Sequence, residues 1–238
     1  MATLARESVP SRTFYRRMAI GISLFILFGF AQFAARGFVD ITAVPLVFHL
    51  HAAAMVAWLA LFSVQAGLPT RGALALHRKL GWTSLALLPL IVVLSIMTCT
   101  TALRAGMVPP FFTDAFFLSL VVVEVLVFAA LVGWAIAWRK RTDWHRRLML
   151  GAAVILLEPA LGRLLPMPLL GDFGHWVQMA LQLGVVGLIA LHDRRSIGSL
   201  HPATLLAGVA VVFAHFLVAL LAILPAWQEL AARTAQGG

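Results

Sequence analysis

Apolar residues run along this chain in long unbroken stretches separated by short polar ones. Seven stretches are long enough to cross a bilayer, at about 18–36, 44–67, 80–103, 112–138, 146–166, 174–192 and 202–225. A crossing helix needs roughly 20 apolar residues. The runs are continuous rather than alternating, which predicts helices instead of barrel strands. The connections are at most about a dozen residues and leave no room for a soluble domain. The predicted fold is therefore all-α: one integral membrane bundle of seven transmembrane helices over 18–225. A basic cytoplasmic segment at 1–17 precedes it and a short periplasmic tail at 226–238 follows.

Composition agrees. Hydrophobic residues make up 62% of the chain and charged ones only 11%, against about 25% in an average soluble domain. Mean hydropathy is +0.97. Cys99 is the single cysteine, which excludes an intrachain disulfide and a thiolate cluster.

A net charge of +9 would suit nucleic acid, but the distribution of the cations argues against it. With the N-terminus inside, fourteen of the 18 Lys and Arg fall on inner segments. That asymmetry predicts a cytoplasmic N-terminus and a periplasmic C-terminus, and it makes the charge a topology signal.

Ionisable groups inside a bilayer are expensive and mark function by default. Five stand out, His49, His51, Glu124, Glu158 and His215, with Gln65 as a neutral neighbour. At 1.5 Å of rise per residue, His51, Glu124, Glu158 and His215 come to overlapping depths in the outer half. His51, Trp58 and Gln65 share one helix face at seven-residue spacing, and His49 points away. Gly151, Glu158 and Gly162 share another, and Pro159 frees a carbonyl one turn back. Glu124 and Glu158 are the candidate catalytic or proton-carrying groups.

Three chemistries fit these residue types. His51 and His215 could hold an outer haem b. A second, inner haem would take His201 with His77 or His145. The same residues and a glutamate could hold zinc, as in the seven-helix ceramidase-like hydrolases, although the His-x-x-x-His expected on their last helix is missing. A transporter or accessory subunit without a cofactor is the third, with Pro159 breaking a helix at its pathway. The expected partners are the lipid bilayer and a small hydrophobic molecule such as a quinone, and no nucleic acid.

A near-repeat stands apart from these sites. "ALHRKLGW" at 75–82 and "DWHRRLML" at 143–150 each open a helix running from inside to outside. With His201 they predict an inner rim of His77, Arg78, His145, Arg146, Arg147 and His201, suited to anionic lipid head groups or another anion.

The strings "FHLHAAAMVAWLALFSVQ", "LHRKLGW", "WHRRLMLGAAVILLEPALGRLL" and "LHPATLLAG" together resemble a widespread family of uncharacterised bacterial multi-helix membrane proteins. The resemblance covers most of 45–210 and rests on His51, Gln65, His77, Arg78, His145, Arg147 and His201. It implies a bacterial inner-membrane location and supplies no activity. Parts of the pattern are also similar to haem-carrying b-type membrane cytochromes.

Overall fold

The computed structural model describes residues 9–237, with side chains from Thr13 onward. Of the expected basic segment at 1–17, positions 1–8 lie outside the described residues. From Val9 the chain is already helical.

The described residues form α1 (Val9–Ala35), α2 (Leu46–Gly67), α3 (Leu74–Gly81), α4 (Ser84–Arg104), α5 (Asp114–Ala137), α6 (Thr142–Ile155), α7 (Leu157–Leu164), α8 (Met167–Leu170), α9 (Phe173–Ile197), α10 (Pro202–Ile223) and α11 (Pro225–Gln236). Among the described residues, six helical segments are long and apolar enough to cross a membrane: Thr13–Ala35, Leu46–Arg71, Leu74–Arg104, Asp114–Ala137, Phe173–Ile197 and Pro202–Ile223. They make this a multi-pass membrane protein and imply a lipid bilayer around it. Phe28, Val93, Leu126, Leu188 and Phe216 all point outward and are more than half exposed, where only an apolar solvent would accommodate them.

The fifth expected span, 146–166, is not one helix. It breaks at Leu156 into α6 and α7. The cause is Pro159, which has no N–H to give the Ile155 carbonyl and whose ring crowds that turn. A broken helix survives at membrane depth only when protein surrounds it, and α6 meets that condition. From Arg147 to Ile155 nearly every residue is buried, and α1, α5, α9 and α10 pack around it. Small residues permit the close approach. A Cβ on Gly151 would stand 2.7 Å from the Ala207 Cβ of α10, and one on Gly29 would stand 3.0 Å from the Ala160 Cβ of α7.

Caps fix the element ends. Thr113 accepts from the Phe116 N–H at 3.1 Å and starts α5. Gly198, at φ 76°, ends α9. The stretch expected as a tail is largely helix α11, which lies against α4 and α5. Trp227 there donates its indole N–H to the Ala115 carbonyl at 3.2 Å.

Candidate functional site

The break between α6 and α7 leaves backbone carbonyls without helical partners. In the bundle interior these must be satisfied by side chains. Helix α9 supplies them. Gln182 Nε2 donates to the carbonyls of Val154 (3.0 Å) and Ile155 (3.2 Å), the latter being the one Pro159 frees. Gln178 Nε2 donates to the Glu158 carbonyl at 3.0 Å.

That anchoring fixes the Gln182 amide, so its Oε1 faces His215 Nε2 at 2.8 Å. An amide oxygen only accepts, so His215 carries its proton on Nε2. Its Nδ1 is then a lone pair and accepts from His175 Nε2 at 3.1 Å. His175 Nε2 also points at the His215 carbonyl, 3.1 Å away. His175 Nδ1 is left facing Glu158 Oε1 at 3.2 Å, and Glu158 Oε2 lies 3.1 Å from His215 Nε2. A nitrogen lone pair and a carboxylate oxygen repel unless a cation sits between them, either a proton or a metal ion. On its other side Glu158 is hydrogen-bonded to the carboxyl of Glu124. Two carboxyls can share a hydrogen bond only if one is protonated.

The group is dry. Glu158, His175, Gln182 and His215 are all buried. One ligand atom each from Glu158, His175 and His215 lies within 4.8 Å of the others. These three residues could hold a metal ion.

The structure therefore brings Glu124, Glu158 and His215 together, from α5, α7 and α10. It does not bring His51 to them. Helix α2 packs on α1 and α4, whereas α10 packs on α5, α6, α9 and α11. His51 lies near Arg163 instead, with its Nδ1 buried and without a partner. His215 is 1% exposed and is walled in by His175, Gln182 and Glu158, which leaves no space for a macrocycle beside it. A haem shared by His51 and His215 does not fit this arrangement. The residue missed from sequence is His175, which sits at a loop boundary. A signal was present: His175, Gln178 and Gln182 fall on one face of α9 at spacings of three and four.

At the opposite, basic end lie both His-Arg pairs. The six expected rim residues divide. Arg147 is 1% exposed and is bound to Asp193, also buried, with Nε donating at 2.9 Å and Nη2 to the same oxygen. Thr204 of α10 donates to the other Asp193 oxygen. His201 takes an N–H from Ala203 on Nδ1 and gives Nε2–H to Asp143 at 3.0 Å. With both nitrogens in use, it is not placed to ligate an inner haem. Arg146 stacks over the Tyr15 ring, 4.3 Å from its centre. His77, Arg78, His145 and Arg146 line a cavity of about 820 Å3. Partial burial holds the His201 pKa below its usual 6.5 against the upward pull of Asp143. For Asp143, burial acts upward, but the His201 hydrogen bond keeps it below 3.8.

No family model, curated protein or solved structure matches the chain.

Proposed function

We propose that the protein is an integral metalloprotein of the bacterial inner membrane, with one transition-metal ion held by Glu158, His175 and His215. The observation that carries this reading is the convergence of three buried ligand atoms, from α7, α9 and α10, within 4.8 Å. Two imidazoles and a carboxylate suit zinc or iron(II). A metal would displace both the proton between Glu158 and His175 and the one on His215 Nε2, so loading is coupled to proton release and weakens in acid. Glu124, hydrogen-bonded to Glu158, carries the proton of that pair and is the group positioned to pass one to a bound substrate.

The fifth segment completes the bundle as a seventh crossing in this reading. Its break at Leu156 is what admits Gln182 and Glu158 to the interior. The cationic end is the cytoplasmic one by the distribution of Lys and Arg.

The test is metal analysis of protein purified in detergent after growth with zinc and iron. One equivalent per chain is expected in the wild type and in Glu124→Gln. Less than a tenth of that is expected in His175→Ala, His215→Ala and Glu158→Gln. A metal-free wild type, or full loading of those three variants, sinks the proposal. The metal that co-purifies decides between water activation by zinc and electron transfer by iron.

A further inference from the structure

Two imidazoles meet at the basic end, far from the Glu158 cluster. His77 comes from α3 and His145 from α6. Thirteen residues separate His145 from Glu158, about 20 Å along the segment. The His77 and His145 ring centroids are 6.2 Å apart, with planes at 87°.

Each ring is fixed in the same way. His77 Nδ1 lies 3.1 Å from the Gln65 carbonyl, and His145 Nδ1 lies 2.8 Å from the Ala135 carbonyl. A carbonyl only accepts, so each Nδ1 carries the proton and each Nε2 is a lone pair. No hydrogen-bond donor partners either Nε2 among the described residues. A backbone carbonyl on Nδ1 and a free Nε2 are how proteins present histidine to a metal.

The spacing fits one iron between two rings. With a metal–nitrogen bond of about 2.0 Å and a ring centre roughly 1.2 Å behind the nitrogen, axial imidazoles have centroids about 6.3 Å apart. Packed rings also reach such distances, but packing would not leave a cavity beside them. The 820 Å3 cavity has Tyr15, Trp58, Phe62 and Trp82 in its walls and Arg78, Arg139 and Lys140 at its polar edge. Cofactor sites span roughly 300–1,000 Å3. Apolar walls, two axial nitrogens and a cationic edge match a flat apolar macrocycle that carries two carboxylates.

We propose that His77 and His145 are the axial ligands of a b-type haem, with its propionates toward Arg78, Arg139 and Lys140. Each copy of the near-repeat then supplies one ligand. This accounts for the histidine that stands ahead of the cation in both "HRKL" and "HRRL", which membrane anchoring alone does not require.

The experiment titrates hemin into the purified protein and compares ferric and dithionite-reduced spectra. Wild type should bind one equivalent with a low-spin, six-coordinate spectrum. Its ferric electron paramagnetic resonance should show the highly anisotropic signal of perpendicular axial imidazoles. His77→Ala and His145→Ala should each lose the low-spin spectrum, and the double variant should bind at least tenfold more weakly. Added imidazole should restore the low-spin spectrum to either single variant, a rescue that a merely misfolded variant would not show. His51→Ala, His215→Ala and Glu158→Gln should keep the haem, which separates this site from the metal proposal. A wild type that gives no Soret shift overturns the proposal. So does low-spin binding that survives in both single variants, or loss that follows His215 instead.

Discussion

Replacing Asp193 by Ala tests the buried ion pair that ties α6, α9 and α10 together at the basic end. Arg147 and Asp193 are 1% and 0% exposed. Asp193 receives two bonds from Arg147 and one from Thr204, and the Tyr15 hydroxyl approaches at 3.4 Å. Its removal leaves the guanidinium with one acceptor among the described residues, the Asp143 carbonyl at 2.9 Å. Stranding one member of a buried pair costs about 3–5 kcal/mol, which is roughly a 10²–10⁴-fold change in the unfolding equilibrium. For a chain of this size that corresponds to a fall in melting temperature of about 6–20 °C. Thr204→Val removes only one bond to a charged acceptor and should cost about 1.5–3 kcal/mol. The double variant Arg147→Met with Asp193→Leu should recover most of the loss, because an apolar pair of similar volume avoids the desolvation of both charges. Thermal melts of the detergent-solubilised protein, followed by tryptophan fluorescence, report all four. An Asp193→Ala protein within about 1 kcal/mol of wild type would refute the reasoning, since it would mean the charges are solvated. A double variant no better than Asp193→Ala would refute it equally.

Two further outcomes follow from the same structure. Gln182→Leu removes the side-chain donor to the Val154 and Ile155 carbonyls and leaves His215 Nε2–H with Glu158 alone. Each such loss costs about 1–3 kcal/mol, so the melt should drop well beyond the error of the measurement, and an unchanged midpoint would contradict the bonding described. Acid should also destabilise the basic end. His201 has a folded pKa below 6.5, so the unfolded chain binds more protons and stability falls as pH drops below 6.5. Asp143, held below 3.8, contributes above that value and loses its contribution as pH falls further. The midpoint should be level above pH 6.5 and decline below it, with the most acidic part of the decline reduced in Asp143→Asn. A midpoint that rises on acidification would exclude this account.

Hydropathy is a local quantity, and what it governs was legible along the chain. The apolar runs become helices because lipid offers the backbone no hydrogen bonds. The small residues at Gly151 and the proline after Glu158 also announce a tightly packed, interrupted segment. Depth follows from rise per residue, so Glu124, Glu158 and His215 could be ranked by level. Which side chains meet is a different matter. The order and rotation of helices around the bundle depend on packing between segments far apart in sequence, and lipid tails are as apolar as the core they surround. Only the tertiary structure therefore joined His175 to His215, gave Arg147 to Asp193 and turned His51 away. It also set His77 against His145, two residues that the sequence places 68 positions apart at the starts of separate helices.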